Sequence, residues 1–281
     1  MRRIVLVALL GLIGLPLQAA EHRLISADGA ITEIIYALGA EDQLIAVDST
    51  SRYPEAVRAL PQVGYLRALP FEGVLAMDPD VLITTEEAAP EETLERLIRA
   101  GVEVHQLPVV RTPEETFERI RAVGRLVAQA EKAEQLATEL AQQVAAVKER
   151  HQGNGKPRVL FLLSAGNHGV MVAGTDTAAD AMLNALGAEN AVAGMAGYKP
   201  AGREALLASR PDAIVIAETI PGGFRINDWP ELKALSAWQK GNHVTADSML
   251  LLGFGPRLAE ALATIATALP ENVQVSSNGS R

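Results

Sequence analysis

The hydrophobic pattern along the chain alternates between short apolar runs and amphipathic segments. The apolar runs include HRLISA, QLIAVD, DVLITT and VEVHQL, and they alternate with segments such as AITEIIYALGA and PEETLERLIRAG, each of which closes with a glycine. Short apolar runs are typical of strands buried in a parallel sheet, and a glycine commonly ends a helix. The pattern therefore predicts an α/β fold.

A different pattern covers residues 112–150, where helix-forming residues continue without a proline after Pro113. Thr112 is a suitable N-cap, Pro113 takes the first helical position, and Glu115 stands three residues after the cap. The segment HQGNGKP then interrupts the helix, and the α/β alternation resumes with RVLFLLSAG. We expect one continuous helix, too long for an ordinary α/β layer, that acts as a strut.

The parts of the chain on either side of this strut contain the same two motifs in the same order. YALGAED, from Tyr36, matches NALGAEN, from Asn184, and EGVLAMDPDVLI, from Glu72, matches EALLASRPDAIV, from Glu204. The first part has additional residues between its two motifs, and Tyr65 is among them. The repeat predicts two similar α/β lobes with a cleft between them. Ligands of open α/β sheets bind beyond the carboxyl ends of the strands, so we expect the binding site in that cleft.

The beginning of the chain has the pattern of a secretory signal peptide: two arginines, an apolar run and then small residues. A membrane anchor fits less well, because the run is shorter than the roughly 20 residues that a spanning helix needs. The predicted organisation comprises a signal peptide (1–20), an N-terminal α/β lobe (21–111), a linking helix (112–150), a C-terminal α/β lobe (151–270) and a disordered tail (271–281).

The composition of the chain limits the cellular compartments and the classes of binding partner that fit it. The chain has no cysteine, so we expect it to be stabilised by core burial without disulfides, and it has no lipidated amino-terminal cysteine. A formal net charge of -9 argues against nucleic-acid binding and suits docking against basic loops of a membrane partner. We expect a monomer in a bacterial periplasm.

Motifs of common enzymes do not occur in the sequence. It contains no nucleophile elbow, zinc-protease motif, P-loop or C-x-x-C, and GFGPRL lacks the third glycine of a dinucleotide fingerprint. The histidines are scattered singly, which gives no support to a zinc site. His168, in SAGNHG after a predicted strand, is the one that we expect to face the cleft. An exported hydrolase that uses Ser164, His168 and a carboxylate is the alternative from a different class.

Several segments carry a family resemblance over essentially the whole mature chain. ITEIIYALG and PDVLI are similar to the class III periplasmic binding proteins, a group that binds haem, cobalamin and ferric siderophores. VGYLRALPFEG and LLGFGPR resemble the haem-binding subgroup, which serves bacterial haem-uptake ABC transporters. The resemblance implies two pseudo-symmetric α/β lobes joined by one long interdomain helix.

The same resemblance implies a function in iron uptake that is not enzymatic. The protein would capture haem in the cleft and deliver it to an inner-membrane permease with its ATPase, downstream of an outer-membrane haem receptor. The runner-up interpretation is the same fold binding cobalamin or a ferric siderophore.

Tyr65 is the candidate axial ligand of the haem iron. Ferric iron accepts a phenolate oxygen, but a free phenol loses its proton only near about pH 10. A neighbouring cation lowers the cost of that ionisation, and Arg67 is close enough in sequence to hydrogen-bond the phenolate. Family members use the tyrosine of this motif as the ligand with an arginine supporting it, so the resemblance implies these roles for Tyr65 and Arg67.

The second lobe supplies further candidates for ligand contacts. Some relatives use a second-lobe histidine as an additional iron ligand, and His168 would take that role. Predicted loops carry Tyr198, Lys199 and Arg225, whose side chains can stack on a porphyrin or pair with its propionates.

Glu72 and Glu204 stand at the same position of the repeated motif, each at the start of a predicted helix. Helix capping explains a carboxylate there, because it favours the positive end of the helix dipole. The family resemblance implies a second role, in which one glutamate on each lobe meets arginines of a two-subunit permease.

Overall fold

The protein is described from a computed structural model that covers residues 22–151, 155–165 and 169–270. The predicted signal peptide, the predicted tail and His168 lie outside these described residues. Within them, no helix combines the length and the apolar character that crossing a membrane requires.

The N-terminal lobe is a parallel four-stranded sheet covered by helices. Its elements in chain order are β1 Leu24–Ala27, α1 Gly29–Ala37, β2 Leu44–Val47, α2 Phe71–Leu75, β3 Val81–Thr85, α3 Glu91–Arg99 and β4 Glu103–Leu107. The strand order is β2-β1-β3-β4, and every neighbouring pair is parallel. The order reverses between β1 and β3, and the carboxyl edge at such a reversal is where open α/β sheets bind their ligands.

Two helices, and not the predicted single strut, follow the N-terminal lobe. α4 spans Pro113–Leu126 and α5 spans Ala130–His151. The predicted helix start is confirmed, because Thr112 and Glu115 form a capping box in which Thr112 Oγ1 accepts a hydrogen bond from Glu115 N at 3.1 Å. The chain turns between the helices at Ala128, which has a left-handed φ of 55°.

The packing of α4 and α5 explains why the predicted helix is interrupted between them. At Gly124 the two helices approach so closely that a Cβ atom there would lie 2.2 Å from the Cβ of Ala133. Arg121 Nε donates to Glu134 Oε2 at 2.7 Å across the same contact. α4 packs on α1 of the N-terminal lobe, whereas α5 packs on the last helix of the C-terminal lobe. A straight helix cannot lie against itself or bury both apolar faces in this way. The prediction of one continuous helix over 112–150 is therefore wrong.

The C-terminal lobe repeats the architecture of the first around a six-stranded sheet. Its elements are β5 Arg158–Ser164, β6 Val170–Ala173, α6 Ala178–Ala185, β7 Glu189–Asn190, β8 Tyr198–Pro200, α7 Arg203–Ser209, β9 Ala213–Glu218, α8 Pro230–Ala234, α9 Ser236–Gln239, β10 His243–Asp247, α10 Ser248–Leu252 and α11 Leu258–Ala266. The parallel pairs β7-β5-β9-β10 reproduce the order of the first sheet, and β6 and β8 add an antiparallel extension.

Hydrogen bonds reproduce the repeat at the level of single residues. Arg23 N donates to Asp80 Oδ2 at 2.9 Å in the N-terminal lobe, and Arg158 N donates to Asp212 Oδ2 at 2.9 Å in the C-terminal lobe. In both lobes the aspartate of the Pro-Asp dipeptide thus fixes the start of a central strand. The predicted pair of similar α/β lobes is confirmed.

One buried apolar cluster extends through both lobes, and each lobe also has a smaller core of its own. The shared cluster joins apolar side chains of α1, α4, α5 and α11, and it continues into strands of both sheets. Representative members, all buried, are Ile34, Ile35, Ile120, Val123, Leu140, Val144, Leu258 and Leu262. The lobes therefore share apolar packing in addition to their connection through α5.

Candidate functional site

A cleft of about 850 Å³ lies between the lobes, at the carboxyl edges of both sheets. Asp28 and Thr85, after β1 and at the end of β3, line it from the N-terminal lobe. Leu163 and Thr219, at the ends of β5 and β9, line it from the C-terminal lobe. Its volume falls within the roughly 300–1,000 Å³ typical of sites for small molecules and cofactors.

Tyr65 lies at this cleft and is positioned by its neighbours. Val63, Leu66 and Leu69 are buried in the N-terminal lobe, whereas Tyr65 is 44% exposed and lines the cleft. The preceding Gly64 has a φ of 110°, a conformation that side chains rarely adopt. The apolar residues of VGYLRAL therefore anchor the loop and leave the phenol accessible to a ligand.

Arg67 also lines the cleft, where it forms an ion pair with Glu87. Arg67 Nη2 lies 2.6 Å from Glu87 Oε2, and Arg111 Nη2 lies 3.4 Å from Glu87 Oε1. Burial opposes the charge on Arg67, but Glu87 outweighs it, so the pKa of Arg67 is raised. Burial likewise opposes the charge on Glu87, and the two arginines outweigh it, so the pKa of Glu87 is lowered. Both groups are charged at neutral pH, and Arg67 donates to Glu87, not to Tyr65.

Tyr198 faces this charged cluster from the C-terminal lobe. It lies in β8 and lines the cleft together with Gly197. Burial raises the pKa of Tyr198, while the charges of Arg111 and Arg67 act in the opposite direction. The net increase keeps its phenol protonated at neutral pH. Tyr198 is therefore suited to stack on a ligand or to donate a hydrogen bond to it.

The structure does not bring the other two second-lobe candidates into the cleft. Lys199 is exposed in β8 and is not among the described residues that line the cleft. Arg225 is also exposed outside it, with Nε 3.1 Å from Asp228 Oδ2. Of the predicted hydrolase residues, Ser164 is buried in β5 and does not line the cleft, and His168 lies outside the described residues. The part of the chain that the structure describes contains no cluster of three metal-binding side chains.

Glu72 and Glu204 lie in the first turns of α2 and α7, as predicted. Neither helix has a side-chain hydrogen bond at its N-cap. Glu72 is 81% exposed and approaches Arg96 Nη2 at 3.4 Å, a surface contact that leaves the carboxylate largely in solvent.

Sequence reasoning missed the polar floor of the cleft. Asp28 caps α1 by accepting hydrogen bonds from Ala30 N at 2.8 Å and Ile31 N at 3.1 Å. Burial raises the pKa of Asp28, and the charge of Arg119 opposes this. Arg119 is itself buried in α4. The sequence signal for Asp28 was its position between an apolar run and a helix, and that for Arg119 was a lone arginine among the apolar positions of α4.

Ion pairs between the lobes were also missed. Arg257 Nε donates to Glu33 Oε2 at 2.8 Å, and the arginine stacks 3.9 Å above the ring of Tyr53. Arg52 donates to the carbonyl of Thr219 and to Asp247 Oδ2, the latter at 3.1 Å. Arg257 ends LLGFGPR, a segment whose family resemblance does not by itself indicate a contact between the lobes. These contacts fix the relative position of the lobes beside the cleft.

Comparison with known proteins agrees with this geometry. The family model described as periplasmic binding protein matches residues 24–250. The structure of a periplasmic heme-binding protein from Pseudomonas aeruginosa has a TM-score of 0.79 and 35% sequence identity, over 88% of this chain and 92% of that one. The periplasmic heme-binding protein BhuT in complex with two hemes has a TM-score of 0.79 and 32% identity, over 87% of this chain and 97% of that one.

A relative that binds a different ligand is similar over a smaller part of the chain. The vitamin B12-binding protein of Pectobacterium carotovorum is 29% identical over 70% of this chain and 72% of its own length. The chain therefore belongs to the periplasmic binding protein family, has its class III fold, and is a substrate-binding protein of an ABC transporter.

Proposed function

We propose that the protein captures haem in the interlobe cleft, with Tyr65 as the axial ligand of the ferric iron, and delivers it to an inner-membrane permease. The observation that carries this proposal is the accessible phenol of Tyr65 in a cleft of suitable size, with the cationic Arg67 beside it. Phenolate oxygen is a suitable ligand for ferric haem, and a nearby cation favours the phenolate over the phenol. The similarity to two heme-binding proteins above 30% identity supports the same ligand.

The charges that line the cleft also support an anionic ligand. Four arginines line it against three acidic residues, although the whole chain carries a net charge of -9. These residues are Arg52, Arg67, Arg111, Arg119, Asp28, Glu87 and Asp176. An excess of one positive charge in the cleft lining of an acidic protein favours the two propionates of haem, and arginine binds carboxylates with two parallel hydrogen bonds.

The apolar part of the cleft is suited to the faces of a porphyrin. Side chains from both lobes contribute to it, so a flat ligand would be enclosed on two sides. They are Leu66, Val109, Val110, Leu163, Met171, Met249 and Leu252. Methionine adapts its shape readily and makes favourable contacts with aromatic rings.

Cobalamin is the second candidate ligand, and the 29% identity to a vitamin B12-binding protein favours it. Cobalamin brings its own corrin-bound cobalt, so Tyr65 would have no ferric iron to ligate. A ferric siderophore belongs to the same alternative, because its iron is already fully chelated. Both ligands therefore predict that the phenol of Tyr65 is dispensable for binding.

Titration with hemin and with cyanocobalamin separates the candidates. We expect hemin to give a high-spin ferric spectrum with a phenolate charge-transfer band, and Tyr65→Phe to abolish that band. Tyr53→Phe is the matched control, because Tyr53 is similarly exposed, at 49%, and lies on Arg257. A band that survives in Tyr65→Phe, or tight binding of cyanocobalamin in place of hemin, would refute Tyr65-ligated haem as the function.

Arg67→Ala tests the supporting cation. We expect the variant to retain the charge-transfer band and to bind hemin about tenfold more weakly, because the iron-bound phenolate loses its supporting cation. Arg99→Ala is the control, since Arg99 is an exposed arginine of the same lobe that pairs with Glu95 at 3.4 Å. Equal hemin affinity of wild type and Arg67→Ala between pH 6 and 9 would contradict the supporting role.

The proposal includes a docking role for Glu72 and Glu204. One carboxylate on each of two pseudo-symmetric lobes matches a permease made of two subunits that present basic side chains. Glu72 and Glu204 lie outside the cleft lining. The protein would therefore present the same two carboxylates to the permease with and without bound haem.

A further inference from the structure

Two exposed leucines stand at equivalent positions of the two lobes, beside Glu72 and Glu204. Leu75 ends α2 and is 37% exposed, whereas Leu207 lies in α7 and is 48% exposed. Each follows its glutamate by three residues in the repeated sequences EGVL and EALL. Residues three apart on a helix are neighbours on its surface, so each lobe presents one carboxylate next to one apolar side chain.

The residues before these leucines show that the exposure is not a sign of loose packing. Val74 and Leu206 take equivalent positions, and both are fully buried in the core of their own lobe. Each helix therefore buries one apolar residue and exposes the next. A helix that already has an apolar contact with its sheet does not need the second leucine for its own stability.

The segments that precede the two helices line the same cleft. Tyr65 and Arg67 line the cleft just before α2 begins, and Gly197 and Tyr198 line it just before α7 begins. The two helices therefore start at opposite sides of one cleft.

Other exposed apolar residues do not form such a pair. The large ones in the described residues are Tyr53, Tyr65, Leu75, Ile98, Leu207 and Ile220. Tyr65 lines the cleft and Tyr53 packs on Arg257. Ile98 and Ile220 have no exposed large apolar partner at the matching place in the other lobe. Single exposed apolar residues are ordinary on a protein surface, but a pair repeated by pseudo-symmetry calls for a common cause.

We infer that Leu75 and Leu207 are apolar docking contacts for a membrane partner built from two copies of one subunit. Each copy would present an apolar side chain beside a basic one, complementary to a leucine beside a glutamate. This inference rests on the docking role proposed for Glu72 and Glu204. It assigns to the two leucines the part of the affinity for the permease that salt does not screen. Burial of each leucine stabilises the complex, while the glutamates provide charge complementarity that weakens as salt rises.

The test measures binding of the protein to its cognate permease–ATPase complex in nanodiscs, at low and at high salt. The variants are Leu75→Ser with Leu207→Ser, and Glu72→Ala with Glu204→Ala. Ile98→Ser is the control, because Ile98 is the more exposed apolar residue, at 56%, and lies on α3 of the N-terminal lobe. Hemin binding and urea unfolding are measured separately for every variant, and the unfolding curves show whether each remains folded.

We expect the leucine double variant to bind the transporter about 100-fold more weakly, which corresponds to about tenfold for each buried leucine, and to lose the same factor at both salt concentrations. The glutamate double variant should bind the transporter more weakly than wild type at low salt, and most of this difference in affinity should disappear at high salt. An affinity of the leucine variant within twofold of wild type, or an equal loss in Ile98→Ser, would overturn the inference. A wild type that binds the transporter but not hemin would contradict the haem proposal and leave the leucine contacts supported by their own result.

Discussion

At the scale of single residues, a buried carboxyl group below the cleft couples stability to pH. Asp48 follows β2, is fully buried, and accepts hydrogen bonds of 2.8 Å from both Thr50 Oγ1 and Ser51 Oγ. Burial raises the pKa of Asp48 from 3.8 to about 6, although these hydrogen bonds act in the opposite direction. The folded protein therefore holds a proton on Asp48 at pH values where the unfolded chain has lost it.

This shift predicts that Asp48 lowers stability as pH rises. Between about pH 4 and pH 6 the folded state binds more protons than the unfolded state, so the free energy of unfolding falls as pH rises through that window. Asp48→Asn keeps an acceptor for the hydroxyls but does not ionise. We expect the stability of the variant relative to wild type to increase by on the order of 2–3 kcal/mol from pH 4 to pH 7.

Urea unfolding of wild type and Asp48→Asn at several pH values measures this difference. Burial also raises the pKa values of Asp28 and Glu33. Both residues are present in wild type and in Asp48→Asn, so their own contributions to the pH dependence of stability cancel in the difference. A constant difference between the two proteins from pH 4 to pH 7 would show that folding does not raise the pKa of Asp48.

At the scale of elements, the contact between α4 and α5 decides how the chain passes from one lobe to the other. Gly124 permits this contact, because a Cβ there would lie 2.2 Å from the Cβ of Ala133. A valine at position 124 gains a little helix propensity over glycine but forces the two backbones apart. The steric cost is the larger effect, since neither backbone can move without disturbing its own lobe.

We therefore expect Gly124→Val to lower the free energy of unfolding by about 2–3 kcal/mol. Gly202→Val is the control, because nothing lies within 4 Å of a Cβ at that position and its φ of -84° suits valine. Thermal and urea unfolding measure both variants. Equal stability of Gly124→Val and Gly202→Val would show that α4 and α5 do not depend on close approach.

Local sequence signals were sufficient for most of the fold but not for the helix break. Apolar runs identified the strands, the Thr112 capping box identified the start of α4, and the repeated motifs identified two lobes. Residues 125–132 contain no proline or glycine that would mark a turn, and the nearby Gly124 lies within α4. Only the packing of α4 and α5 on different lobes requires a break there, and a single sequence does not reveal that long-range contact.

The residues of the cleft also differ in whether the local sequence reveals them. Tyr65 and Arg67 were predicted because they stand together in one recognisable segment. Arg52, Arg111 and Arg119 were missed because each stands alone in the sequence and the fold brings them together. Lys199 was predicted from its neighbour Tyr198, but adjacent residues of a strand point to opposite faces, and in β8 only Tyr198 lines the cleft.

At the scale of the whole molecule, the lobes are joined by more than the linking helix. Arg257 and Glu33 form a mostly buried ion pair between them, with Glu33 only 7% exposed. Gly255 allows α1 to approach the C-terminal lobe, since a Cβ there would lie 3.3 Å from the Cβ of Ala30. These contacts, with the shared core, restrict hinge motion of one lobe against the other.

We expect small-angle scattering profiles of the hemin-free and hemin-loaded proteins to superimpose within error. The reason is the packing between the lobes, which replaces the uninterrupted helix predicted from the sequence. The double variant Arg257→Ala with Arg52→Ala is measured beside the wild type. It lacks the charged contacts between the lobes but keeps α5 intact. A contraction of the wild type on hemin binding, as large as that of a two-stranded hinge protein, would contradict this expectation.

The continuity of the buried core also determines how tolerance to mutation is distributed over the chain. Ile34 and Leu262 belong to different lobes but to one packed cluster, so the free energy of unfolding is a property of both lobes together. A cavity made in α11 therefore depletes the folded state on which the Tyr65 loop depends, although α11 lies outside the cleft lining. Substitutions that weaken this shared cluster from one lobe therefore reduce the number that the other lobe can accept.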